Sequence, residues 1–146
     1  MRRSVPLVSL VVVAAVLAGT GAACGSDKKP APAVVAMAGE TVATAKLLTI
    51  ATGVCDAARQ AGGSIDAARQ TFFSQSHDGL HLIARGLQEV DRDASAALLE
   101  AKQKVEADFL TPPPGPRVVA DLDQLGAVTR SSLARFKVSA DACPPA

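Results

Sequence analysis

One apolar stripe with helical spacing occupies residues 77–109 and constrains the fold more than any other part of the sequence. On a helical wheel, at about 100° per residue, its apolar side chains fall within one arc and most charged side chains fall opposite. A helix of about 30 residues is about 45 Å long. It cannot bury such a face alone, so the rest of the chain should supply partner helices. The stripe consists of Leu80, Ile83, Ala84, Leu87, Val90, Ala94, Leu98, Ala101 and Val105.

The phase of this stripe is preserved from Ile65 to Val105, which predicts one long central helix. Gly79 follows Asp78, and a glycine lacks the side chain that stiffens a helical turn, so a kink is expected near this pair. The alternative is a true break, in which Ser76 or Asp78 caps a separate third helix.

Shorter helical patterns flank the central one. Residues 34–60 predict a first helix, which Gly62 and Gly63 end, and Ser64 is a suitable N-cap for the next helix. The segment 111–116, TPPPGP, ends the central helix because proline cannot continue one. Residues 117–136 predict the last helix. The predicted fold is therefore all-α, an antiparallel three-helix bundle with a long central helix and an expected kink near Gly79.

The first 23 residues have the pattern of an export signal. An arginine pair precedes an apolar run over residues 5–18, which is too short for a comfortable membrane span. Small residues, GTGAA, then lead to Cys24. The stretch from Gly21 to Cys24 resembles the lipobox of bacterial lipoproteins, in which the signal is cut before a cysteine that carries a diacylglycerol. The resemblance implies a signal peptide over 1–23 and lipid anchoring of Cys24 on the extracytoplasmic face of the cell membrane.

A plain secretory signal, cut near Ala22 or Ala23, is the alternative and would leave Cys24 as an ordinary thiol. In the anchored case residues 24–33 form a lipidated tether, since their prolines and charges offer nothing to bury. Residues 34–143 then form the helical domain and residues 144–146 a tail.

Cys55 and Cys143 remain as a pair if Cys24 is acylated, and we expect them to form a disulfide. Their long separation, without C-x-x-C spacing, favours a structural bridge over the alternative of a redox pair. A disulfide requires α-carbons within about 7 Å. Three antiparallel helices place the ends of the first and last helices at one pole, whereas four would require the tail to run back.

His77 and His81, the only histidines, are spaced i,i+4 and are the candidate metal ligands. This spacing lets two imidazoles on one helix share a zinc or copper ion. The run HDGLH resembles the HExxH motif of zinc proteases, but Asp78 stands where glutamate is needed and no further histidine follows. The alternative is two boundary histidines that form local hydrogen bonds or caps, and this is the interpretation we favour.

Asp91 and Lys102 both lie toward the apolar stripe. They would line a polar ligand pocket between helices, or they would be edge positions whose charges reach solvent or pair with Arg117 or Arg130. The second interpretation is favoured because charges are rarely buried without partners.

Composition argues against several functions. The net charge is +1 and the chain has no Trp or Tyr, so nothing resembles a basic, base-stacking nucleic-acid surface. No catalytic triad or phosphate-binding glycine loop is present. The runs over residues 77–84 and 98–106 are similar to segments of small uncharacterised lipoproteins of high-GC bacteria, a resemblance that implies no activity.

The predicted function is therefore that of a non-catalytic lipoprotein, anchored outside the cell membrane, which binds a partner protein or serves the cell envelope. A metal-binding lipoprotein that uses His77 and His81 is the alternative, and a hydrolase is the second alternative.

Overall fold

A computed structural model of the chain describes residues 32–111 and 117–143. The predicted signal sequence, Cys24 and most of the predicted tether lie outside the described residues, as do the proline-rich segment 112–116 and the tail 144–146. The described residues are mostly helical, as predicted, and include one small antiparallel sheet of two strands.

The sheet is a β-hairpin at the start of the described chain. Strand β1 (Val34–Met37) pairs with β2 (Glu40–Ala43), and a two-residue turn joins them. Ala38 and Gly39 both have positive φ, 50° and 75°, as a type I′ hairpin turn requires. The prediction of a helix from residue 34 was therefore wrong for the first ten residues. Their burial alternates with period two, which is the pattern of a strand with one covered face.

Helix α1 (Thr44–Ala61) ends next to Gly62, and α2 (Ile65–Thr71) begins after Ser64. The Ser64 hydroxyl accepts a hydrogen bond from the Ala67 amide at 3.3 Å. The predicted end of the first helix and the predicted N-cap of the next are therefore confirmed.

The next helical segment is irregular one turn before the predicted kink. Residues Phe72–Ser76 form a π-helical turn, and α3 (His77–Val90) follows it directly. The Ser76 hydroxyl donates to the Ile50 carbonyl at 3.0 Å, which attaches the π turn to α1. Gly79 serves close packing, since a Cβ at this position would lie 2.3 Å from the Ile50 side chain.

The real break in the long stripe lies at Asp91. This residue is extended (φ −160°, ψ 93°) and separates α3 from α4 (Arg92–Leu110). Its carboxylate accepts from the Ala94 amide at 3.0 Å and pairs with Arg135 Nε at 3.1 Å. The Ser95 hydroxyl donates to the Ala84 carbonyl at 2.8 Å and joins the two helices after the turn.

The predicted three-helix bundle is therefore not confirmed, because the segment expected to form one central helix folds back on itself. The described residues contain four helical rods: α1, α2 with the π turn and α3, α4, and α5 (Val118–Arg135). Apolar residues continue on both sides of the break because α3 and α4 each bury one face in the same core.

The chain reverses direction after α5. The Lys137 and Val138 amides donate to the Ala134 and Leu133 carbonyls at 3.0 and 3.1 Å, with Lys137 at φ 60° and Val138 buried. This is the hydrogen-bond pattern of a Schellman motif. It directs the last described residues back along α5 and α1.

The predicted disulfide between Cys55 and Cys143 is present, with its α-carbons 5.1 Å apart. It forms in a four-helix arrangement because the tail runs back far enough to bring Cys143 beside Gly126. A Cβ on Gly126 would lie 3.0 Å from the Cys143 sulfur, so glycine gives the bridge its room.

The core lies between the four rods and under one face of the hairpin. Within the described residues, no helix combines the length and the apolar content that crossing a membrane requires. The largest fully buried side chains are Phe72, Phe109, Leu47, Leu80, Ile83, Leu87, Leu98, Leu122, Leu125, Leu133, Val54 and Val105.

We predict that Asp91 stabilises the break between α3 and α4 chiefly as the N-cap of α4. Asp91→Ala should lower the free energy of unfolding by about 1–2 kcal/mol, because it removes the acceptor for the Ala94 amide together with the pair to Arg135. Asp91→Asn keeps a capping oxygen and should cost about 0.5 kcal/mol or less, since Arg135 is half exposed. Urea unfolding of both variants measures the difference, and equal stabilities would contradict this role.

Candidate functional site

The candidate site is an ion cluster between α3 and α4, in which Lys102 is buried and the other members are partly or fully exposed. Lys102 is only 2% exposed, and its Nζ donates to Glu106 Oε1 at 2.7 Å. The same carboxylate oxygen lies 2.7 Å from His77 Nε2. His77 Nδ1 lies 2.9 Å from Asp78 Oδ1 at the surface. The arrangement forms one chain of charges from the buried ammonium of Lys102 to the exposed carboxylate of Asp78.

Glu106 is held as a carboxylate by this cluster. Burial raises its pKa, but the hydrogen bond and the charge of Lys102, followed by those of His77, outweigh that effect and leave the pKa below its ordinary value. Asp78 also has a lowered pKa, mainly because of its hydrogen bond with His77. Ionised Glu106 is thus the partner that compensates the buried Lys102.

His81 lies beside the cluster without joining its hydrogen bonds. Its ring stands edge-on to that of His77, with the centroids 5.1 Å apart. Burial lowers the pKa of His81, and the positive charges of Lys102 and His77 lower it further. The neutral form of His81 is therefore favoured.

An aromatic layer covers the end of the cluster nearest the π turn. The centroid of the His77 ring lies 5.3 Å from that of Phe73 and 6.1 Å from that of Phe72, and Phe72 contacts Phe109 at a centroid distance of 5.7 Å. The π turn directs Phe72 into the core and leaves Phe73 partly exposed. Helices containing such turns often carry functional residues, and here the turn positions His77.

The geometry gives little support to metal binding by His77 and His81. Both ring nitrogens of His77 already lie at hydrogen-bond distance from carboxylate oxygens, whereas a metal ligand needs a free nitrogen lone pair. In the parts of the chain that the structure describes, no group of three or more His, Cys, Asp or Glu side chains is arranged to hold a metal ion. The zinc or copper site therefore stays a prediction, and the described residues provide no third ligand for it.

Asp91 lies between α3 and α4 and is ion-paired, as the favoured interpretation expected. Lys102 is also ion-paired, but it is buried, so the edge position expected for it was wrong. Asp91 pairs with Arg135, whereas the expectation named Arg117 or Arg130. Lys102 pairs within its own helix, with Glu106. Sequence analysis missed Glu106, although its i,i+4 spacing from Lys102 was a usable signal.

A second polar pair joins α4 to α5. Burial raises the pKa of Asp108, and the neighbouring carboxyl group of Asp121 raises it further. Arg117 Nε lies 4.0 Å from the Asp121 carboxylate. Asp108 Oδ2 and Asp121 Oδ2 are both buried without a hydrogen-bond partner among the described residues, so the two carboxyl groups lie close together at the contact between α4 and α5.

Comparison of this chain with protein-family models, with curated proteins and with solved structures finds no significant match. Its function must therefore be inferred from its own residues.

We predict that Glu106 stabilises the fold by compensating Lys102. Glu106→Gln should lower the free energy of unfolding by about 1–3 kcal/mol at neutral pH, because it leaves a buried ammonium without its anion. Lys102→Met should cost less, since an apolar chain replaces the charge and the part-exposed Glu106 remains hydrated, and the double variant should recover much of the loss. Urea unfolding of the three variants measures this.

The pH dependence of the same series provides the control. The folded state lowers the pKa of Glu106 below its ordinary 4.5, so its stabilisation is present above that pH and is lost as pH falls through the lowered pKa. The difference in the free energy of unfolding between the wild type and Glu106→Gln should therefore shrink as the pH falls. Glu100→Gln, which breaks the exposed pair with Lys104, should have far less effect. A Glu106→Gln variant as stable as the wild type at neutral pH would contradict the assignment.

Proposed function

We propose that this chain is a lipid-anchored protein of the extracytoplasmic face of the cell membrane, which acts by binding and not by catalysis. Its partner is a protein or another component of the cell envelope. The proposal rests on two features, which are the lipobox-like stretch that ends at Cys24 and the disulfide that the other two cysteines form.

The observation that carries the proposal is the Cys55–Cys143 disulfide. Stable structural disulfides belong to oxidising compartments outside the cytoplasm. The bridge uses two of the three cysteines, so Cys24 is left without a partner inside the domain. Acylation gives this third thiol a chemical role that fits the residues around it.

A binding role is supported by the state of the polar groups in the domain. The nucleophile or base of an enzyme needs a reacting atom that substrate can reach. The buried ammonium of Lys102 is paired with Glu106, and His77 is engaged at both nitrogens. These groups fix the contact between α3 and α4, and the exposed surfaces of the rods are left for a partner.

Acylation at Cys24 is tested in a bacterium that has the lipoprotein pathway. The full chain, grown with a clickable fatty acid, should carry the label and fractionate with membranes, and Cys24→Ala should lose both properties because it lacks the acylated sulfur. The double variant Cys55→Ser with Cys143→Ser is the matched control and should keep the label. A wild-type chain without label, or a Cys24→Ala chain that keeps it, would refute the anchor.

A further inference from the structure

The ends of the four helical rods gather at two opposite poles of the bundle, and these poles differ in their distance from the proposed anchor. The chain enters the domain at Ala33, whose carbonyl accepts from the Thr44 amide at the start of α1 (2.9 Å). A Cβ on Gly86, near the end of α3, would lie 2.6 Å from Met37 in β1 and 3.2 Å from Phe136 after α5. The hairpin, the start of α1 and the ends of α3 and α5 therefore share one pole, which we call the tethered pole.

The far pole carries the opposite ends of the same rods. It contains Gly62 and Gly63 after α1, Leu110 at the end of α4 and Val118 at the start of α5. Helix α4 has 19 residues, so the two poles are about 28 Å apart along it.

The reach of the tether favours one orientation of the domain. Eight residue-to-residue steps separate Cys24 from Pro32, and a fully extended chain spans at most about 29 Å over them. If the far pole contacted the lipid, the tether would have to run alongside the domain from one pole to the other. This path would use almost all of its length. Contact of the tethered pole requires none of it.

The tethered pole also has a groove whose chemistry suits a phospholipid surface. A groove of about 690 Å³ lies between the hairpin turn at Ala38 and the junction of α3 with α4. Arg85 and Arg92 line it, and neither forms an ion pair among the described residues; Glu89 is the acidic side chain in the lining. A guanidinium group binds phosphate oxygens in a two-pronged geometry.

An exposed apolar side chain stands at the same pole. Val90, the last residue of α3, is 60% exposed between Glu89 and Asp91. Asp91 is already paired with Arg135, so its charge is compensated within the fold. An exposed apolar side chain at the same pole as the two arginines fits the interface between headgroups and acyl chains.

We propose that the tethered pole docks on the phospholipid surface, with headgroup phosphates bound by Arg85 and Arg92 in the groove and Val90 at the lipid interface. This inference rests on the proposed lipid anchor at Cys24. It adds that the anchored domain has a fixed orientation, which leaves the far pole and the exposed Leu110 directed toward the partner.

The absence of Trp and Tyr from the chain makes a direct test possible. Val90→Trp and Leu110→Trp each introduce a single fluorophore at an exposed position, at the tethered and the far pole respectively. The acylated full chains are reconstituted into vesicles of phosphatidylcholine and phosphatidylglycerol whose acyl chains are brominated near the headgroup. Tryptophan at position 90 should be quenched several-fold more than tryptophan at position 110.

The arginines are tested in the Val90→Trp background. Replacing both Arg85 and Arg92 with Gln should reduce the quenching, whereas Arg69→Gln should not. Arg69 is the matched control because it lies in α2, toward the far pole, and pairs with Asp66.

The outcomes separate the two proposals. A chain that floats with the vesicles but shows equal quenching at both positions, stronger quenching at position 110, or quenching unchanged by the arginine variants would overturn the docking alone. A chain that carries no acyl group and does not float would overturn the anchor and, with it, the docking.

Discussion

The covalent link between Cys55 and Cys143 is the constraint on which the arrangement of this domain depends. It closes a loop across a sequence separation of 88 residues, and loop-closure entropy assigns such a bridge about 4–5 kcal/mol. The benefit is large for a small body whose core is rich in alanine. The reversal at Lys137 and the missing side chain at Gly126 are the two local features that let the sulfurs meet.

The disulfide and the ion cluster around Lys102 hold different parts of the bundle. The bridge attaches the returning tail to α1, whereas Lys102 and Glu106, through His77, join α4 to α3. The π turn connects these regions, since Ser76 bonds to α1 and the next residue, His77, bonds to Glu106. His77, one of the two residues that the sequence suggested as metal ligands, therefore takes part in the contact between α3 and α4. The proposed partner would bind the exposed surfaces of the rods.

Sequence patterns predicted features that depend on local chemistry and missed those that depend on packing. The Ser64 cap and the helix end at Gly62 follow from local rules, and the cysteine pair was predicted by counting the thiols left if Cys24 is acylated. The hairpin was missed because a helical period was assigned across Gly39, although the valines and threonines around it favour strands. The break at Asp91 was missed because helices on both sides face the same core, although an aspartate cap was a usable signal. The cluster around Lys102 required knowing that α4 lies against α3.

The most direct test of this account is peptide mass spectrometry, without reduction, of the full chain isolated from the cell envelope. The account predicts one disulfide-linked peptide pair containing Cys55 and Cys143, together with an acylated N-terminal peptide that begins at Cys24. Free thiols at positions 55 and 143, or a disulfide that includes Cys24, would contradict it, because the tail would then not be held to α1 and Cys24 would not be the lipid anchor.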